Sequence, residues 1–343
     1  MGIGRIFQRA YHLGQRAARE TKAMPSRWKA FGPKVALETF RDGLIPPGKS
    51  PRYIAAIESK VDQILAPVVE KYRDLPEEAM PPEGKTPIWC CWWQGEEQMP
   101  ELVKLCHTRL KQVIPEDKAR LHLITLDNYR EYVQIPNHIL EKFEKKIITM
   151  TTMSDVLRFA LLAKYGGYWL DATVFFTGEI PEEYFSGGCY CQRMVANTKY
   201  AQREACRCNW CGFSMAGPKN SIVFRYMSDA FSYWWEHYDT IIDYVLIDYL
   251  LWIGYCRIPA IRDVINSVPD NNEDIFEMYP ALNQPYSPEL LEKLTKRNVM
   301  HKLTYKMDLR TRTAEGELTL YGWLRRGFRE RSKGNVQRHR AGA

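Results

Sequence analysis

The sequence predicts an α/β protein, and three observations carry that reading. Residues 88–93, IWCCWW, form a short apolar run; a helical stretch follows, then a second short run at residues 121–126, LHLITL, which is a β-α-β beginning. Further on, an apolar helix from Ser154 is stopped by Gly166 and Gly167 and followed at once by a strand-like run, YWLDATVFF at residues 168–176. Nothing repeats with a fixed period, which sets aside solenoids and propellers. In sheets of this kind a ligand is expected outside the carboxyl ends of the strands.

The elements follow in order. At about 100° per residue, Ile3, Ile6, Phe7, Ala10, Leu13, Gly14 and Ala17 fall on one side of a helix and Arg5, Arg9, Arg16 and Arg19 on the other, a basic amphipathic pattern. Ile54, Ile57, Val61, Ile64, Leu65 and Val68 give a second helical stripe, with a kink expected at Pro67. The proline- and charge-rich stretch at residues 75–87 marks a boundary. Residues 1–84 are therefore read as a helical N-terminal extension, 85–312 as the body and 313–343 as a basic C-terminal tail. In the body, the first strand stops at Gln94-Gly95, and a helix is expected from Pro100 to about Gln112. Ser154 is read as the cap of the next helix, with Val156, Leu157, Ala160, Leu161 and Ala163 facing inward.

Composition excludes several classes. A hydrophobic content of 45% with 26% charged residues is that of a globular chain, not a disordered or fibrous one. The most apolar stretch, residues 241–256, is interrupted by Asp243 and Asp248, so no transmembrane segment is expected, and the charges spread through the first 20 residues make a signal peptide unexpected as well. The net charge of +7 is segregated: residues 1–34 carry eight basic side chains against one acidic, residues 321–343 seven against one, and the part between is acidic. Basic tails of this kind suit an anionic membrane surface. The C-terminal one repeats the amphipathic pattern with Leu320, Tyr321, Leu324 and Phe328 beside Arg325, Arg326 and Arg329, and adds Trp323. No zinc finger, helix-turn-helix or RNP-type motif accompanies the charge, so nucleic acid is not an expected partner.

Nine cysteines without a secretion signal are expected to be reduced thiols. Five cluster at Cys189, Cys191, Cys206, Cys208 and Cys211. That spacing could hold a zinc ion but lacks the paired knuckles of zinc ribbons. Cys90, Cys91, Cys106 and Cys256 lie in apolar runs and read as core.

The chemistry-bearing stretch is residues 154–173, SDVLRFALLAKYGGYWLDAT. Asp155 and Arg158, three apart at a helix start, share a face, and Asp171 projects from the end of a strand. An acid, an arginine and a second acid can thus converge on one ligand bearing hydroxyls and phosphates. Together with IWCCWWQG upstream, this pattern resembles the glycosyltransferases of the capsular polysaccharide synthesis type, a GT32-like group similar to the fungal initiating mannosyltransferases and the glucosylating clostridial toxins. The first-strand motif of that family, roughly I-H-x-x-W-x-G-G, is matched by Ile88, Trp89, Trp92, Trp93, Gln94 and Gly95. The second, S-D-x-x-R…Y-G-G-x-Y-x-D-x-D, is matched by Ser154, Asp155, Arg158, Tyr165, Gly166, Gly167 and Asp171. The resemblance covers about residues 85–310.

It implies a GT-A fold, a Rossmann-like nucleotide-sugar-binding sheet, and a retaining hexosyltransferase that uses a nucleotide-sugar, in the first place a UDP-sugar. By analogy Trp92 lines the nucleoside pocket, Asp155 and Arg158 hold donor-sugar hydroxyls, and Asp171 binds ribose and a divalent metal, Mn²⁺ or Mg²⁺. The aromatic of the family motif is shifted or duplicated here, and Tyr168 is carried into the donor-binding set. The usual D-x-D reads Asp171-Ala172-Thr173, so the metal would have only the neutral oxygen of Thr173 as its second ligand. The acceptor implied is a lipid-linked, capsular or exopolysaccharide glycan, reached from a peripheral position on the cytoplasmic face of the membrane. The missing acid also motivates an alternative, a catalytically silent scaffold subunit of a polysaccharide synthesis complex. Asp248, in an almost wholly apolar helix, needs a partner or a function and is included as a candidate site residue. His301 and His237 are expected to be packing residues.

Overall fold

The computed structural model describes residues 3–44, 50–81, 83–195 and 204–327. Its centre is a mixed sheet in which β1 (Thr86–Cys91) lies between β2 (Ala119–Ile124) and β3 (Gly167–Asp171), both parallel to it. β5 (Tyr190–Cys191) and β6 (Ser214–Gly217) extend the β3 side antiparallel, so the strand order is β2-β1-β3-β6-β5. This is an α/β architecture with a mostly parallel centre, compatible with a Rossmann-like fold. β1 reads as an unbroken apolar run because both of its faces are covered: Ile88, Trp89 and Cys90 are at most 2% exposed.

Two elements differ from expectation. The run at residues 168–176 is not one strand. β3 ends at Asp171, Ala172 and Thr173 turn, and β4 (Val174–Phe176) leaves the sheet to pair antiparallel with β7 (Met300–Lys302). The helix assigned to Ser154 begins a turn earlier, following α5 (Asn137–Glu144) as α6 (Met150–Tyr165), because Thr149 is the cap and its Oγ1 accepts from the Thr152 amide at 3.2 Å. Ser154 lies in the second turn and is hydrogen-bonded by the Trp93 indole N–H at 2.8 Å.

The glycines after α6 are required by geometry. Both adopt positive φ, 66° at Gly166 and 96° at Gly167, and a Cβ at Gly167 would collide with the Pro87 carbonyl oxygen of the neighbouring strand. Gly167→Ala is expected to lower stability by about 3 kcal/mol, from backbone strain plus overpacking. A urea midpoint like that of the wild type would overturn this.

The core does not respect the boundaries drawn from composition. α3 (Pro51–Tyr72) runs through Pro67 and buries Ile57, Val61 and Leu65 in one cluster with α6, α7 (Ile222–His237) and α8 (Leu246–Arg257). It is part of the body. At the other end Leu320, Tyr321 and Leu324, read above as one face of a membrane-seeking helix, are buried with Leu102, Leu105 and Cys106 of α4 (Glu101–Val113). Trp323 stacks on Tyr286 with ring centroids 4.7 Å apart. That apolar face is occupied by the protein itself, and Phe328 with the rest of the basic tail lies outside the described residues.

The N-terminal basic segment is helical in its backbone as α1 (Ile3–Phe31), which packs on α2 (Pro33–Leu44). It is tied to the body where Phe31 meets Trp234 and Tyr238 at 5.7 and 5.4 Å. No described helix is long and apolar enough to cross a membrane. Cys256, expected in the core, is exposed.

Candidate active site

A cavity of about 920 Å³ opens at the carboxyl edge of β1 and β3. This is where parallel strands release their chain into loops and where α/β proteins bind ligands. Trp92 and Trp93 follow β1 into its wall, Asp155 and Arg158 enter from the second and third turns of α6, and Trp169 and Asp171 come from the end of β3. Asp248 enters from the first turn of α8, and the segment 302–306 closes the remaining side.

The polar groups form one connected row. Arg158, with its side chain 5% exposed, donates from Nη1 to Asp155 Oδ1 at 2.8 Å and from Nη2 to Asp171 Oδ1 at 3.3 Å. Its guanidinium lies 5.0 Å from the Trp169 ring, whose indole N–H donates to the same Asp171 oxygen at 3.0 Å. The second oxygen of Asp171 accepts from Lys302 Nζ at 2.7 Å, and that ammonium also donates to Thr173 Oγ1 at 2.8 Å. Across the cavity Asp248 accepts from the Trp210 indole N–H at 3.0 Å. The buried indole N–H of Trp92 and Nε of Arg158 have no protein partner.

The two carboxylates on Arg158 differ in charge state. Burial, opposed by Arg158 and reinforced by Asp171, pushes Asp155 up to about 6. Burial acts on Asp171 in the same direction, but the Lys302 ammonium and the Arg158 guanidinium outweigh it and hold that carboxyl down at about 2. One acid is thus poised to change charge near neutral pH while its neighbour stays ionised.

The structure brings Trp92, Asp155, Arg158, Asp171, Thr173 and Asp248 to one cavity. Tyr168 is not among them. Alternate residues of a strand face opposite sides, so Trp169 and Asp171 share the cavity side of β3. Tyr168 is fully buried behind it, stacked on Tyr184 at 4.2 Å and hydrogen-bonded to Ser214 Oγ at 2.9 Å. The same alternation buries His301 while its neighbour Lys302 reaches the cavity. His237 stacks on Tyr233 at 4.2 Å and does not line this cavity.

Three contributors were not named in advance. Trp169 was findable, being two residues before Asp171 on a strand. Trp210 and Lys302 carry no local signal, since their roles depend on partners 38 and 131 residues away.

A divalent ion does not fit the donor set as it stands. Both oxygens of Asp171 are engaged by cations, Thr173 shares one of them, and an ion on this pair would meet the Lys302 ammonium at contact distance. Among the described residues no three His, Cys, Asp or Glu side chains converge as a metal site requires, in this cavity or in the cluster from Cys189 to Cys211.

These features define an α/β protein with a charged, aromatic-walled cavity at its strand ends. The model of the capsular polysaccharide synthesis protein family matches residues 51–322, and the chain belongs to that family. The match begins at α3 and ends within the C-terminal helical turns. No curated protein matches the chain.

Proposed function

We propose that this chain is a retaining glycosyltransferase of the GT-A type that moves a sugar from a nucleotide-sugar, in the first place a UDP-sugar, to a lipid-linked or capsular glycan. The observation that carries this reading is the row Asp155, Arg158, Asp171 at the carboxyl ends of the parallel strands, set in a cavity walled by indole rings. Carboxylates accept from sugar hydroxyls, a guanidinium donates to hydroxyl or phosphate oxygens, and Trp92 offers a face for a base. In the reaction the bond between the anomeric carbon and the β-phosphate oxygen breaks, its electron pair leaving on the diphosphate. The acceptor hydroxyl oxygen bonds to that carbon, and its proton passes to the departing diphosphate. The protein's contribution is positioning and charge stabilisation in a partly dry cavity.

The test is nucleoside diphosphate release by the purified full chain from a panel of UDP- and GDP-sugars, with Asp171→Asn as control. Release from at least one donor, lost in the variant, is expected; no release from any donor would remove the proposal.

The same reading assigns the basic N-terminal helix to the anionic inner face of the cell membrane, near a lipid-linked acceptor. Deleting residues 1–19 stops short of Glu20, which is buried and paired with Arg27. The truncated chain is expected to lose sedimentation with vesicles containing about one third phosphatidylglycerol while keeping its nucleotide affinity. Unchanged sedimentation would count against this anchor.

A further inference from the structure

The Asp171-Ala172-Thr173 turn and β7 are held together by backbone as well as side chains. Val174 pairs with Lys302 in the β4–β7 ladder, the Leu303 amide donates to the Thr173 carbonyl at 2.9 Å, and the Lys302 amide donates to the Ile275 carbonyl at 2.8 Å. This fixes the root of the lysine beside the turn. Its side chain is 20% exposed and lines the cavity, with Nζ 4.9 Å from the centre of the Phe213 ring. The ammonium therefore rests between the two oxygen-bearing side chains, Asp171 and Thr173, that a D-x-D-like turn would offer to a cation. Of its three N–H donors, these two contacts use two, which leaves one for a ligand oxygen. Lys306 lies on the same wall, four residues on.

We infer that Lys302 is the cation of this site: its ammonium binds the diphosphate of the donor in the place of a divalent ion, so nucleoside diphosphate binding by this chain is independent of metal. The inference rests on the nucleotide-sugar reading above and deepens it. A tethered ammonium has one positive charge and hydrogen-bond directionality where an ion has two charges and open coordination. It is also already in position, which removes the need to gather an ion with the ligand. The neutral Thr173 is consistent with this arrangement. A second carboxylate beside Asp171 would hold Lys302 more tightly, whereas a hydroxyl leaves it able to turn toward a phosphate.

The test is calorimetric titration of the full chain with UDP and with GDP, each in EDTA and in Mn²⁺ or Mg²⁺, using wild type, Lys302→Met and Lys302→Arg, with thermal unfolding as the check on folding. Wild type is expected to bind one nucleotide in EDTA, with affinity changed less than about threefold by metal. Lys302→Met should weaken that binding at least about tenfold, the size of a lost charge-assisted hydrogen bond, and Lys302→Arg should retain most of it. Wild-type binding seen only with metal overturns the inference and leaves the nucleotide-sugar reading standing, as does unchanged affinity in a folded Lys302→Met. No binding of either nucleotide in any buffer overturns both. The comparison of EDTA with metal in the wild type does not depend on any variant folding.

Discussion

Asp171→Asn is expected to lower sugar transfer by about two to three orders of magnitude, the loss typical when one preorganised electrostatic group is removed from an active site. The amide keeps the shape of the carboxyl and can still accept from Trp169 and Arg158, but its NH₂ then faces the Lys302 ammonium, donor against donor. Both cations lose the charge that positions them. The side chain is 32% exposed, so solvent screening moderates the effect on folding, and about 2 kcal/mol of stability should go with it. Turnover with a saturating donor and thermal unfolding of the same preparation separate the two effects. A folded variant with wild-type turnover would show that Asp171 is structural and that the site lies elsewhere.

The second expectation concerns pH, and it gives Asp155 opposite effects on activity and stability. On the proposed reading Asp155 accepts from sugar hydroxyls, and the ionised carboxylate is the stronger acceptor. With Asp155 pushed up to about 6, kcat/KM should fall about tenfold per unit below that pH. Stability runs the other way. A carboxyl whose pKa rises on folding, here from about 3.9 in the unfolded chain, stabilises the fold fully below about pH 4 and loses that contribution as pH rises through about 6. The loss is about 3 kcal/mol by pH 8. Asp171, held at about 2, contributes stability that is present above about pH 4 and lost as pH falls through about 2. Asp155→Asn should therefore raise the urea midpoint at pH 8, leave it nearly unchanged at pH 4, and remove the acid limb of the rate profile along with most of the rate. An acid limb that survives in Asp155→Asn assigns the titration to another group.

How much of this was legible depended on the range of the interaction concerned. The first β-α-β unit was readable because buried strands and amphipathic helices write their periods into adjacent residues. β1 and β2 begin two residues earlier than their apolar runs suggested, at Thr86 and Ala119. Asp155, Arg158 and Asp171 were readable because one helix turn and one strand end place them, and both are set by spacing within 17 residues. The error at Ser154 was local too: Thr149 offers the same capping chemistry one turn earlier, and a choice between two caps needs the Trp93 contact that occupies Ser154. Tyr168 was misjudged because sequence lists neighbours where a strand sends them to opposite faces.

The amphipathic C-terminal segment shows a different limit. Its pattern says that one face must be covered, but a lipid surface and Leu102, Leu105 and Cys106 cover an apolar face equally well in sequence terms. The sequence by itself determined the α/β class, the family and the group Asp155, Arg158 and Asp171, all of which follow from short-range pattern and motif. Only the tertiary structure decided which cation stands at Asp171 and Thr173. That depends on the chain turning at residues 172–173, leaving the main sheet and pairing with a strand about 130 residues on, a contact no local period can encode.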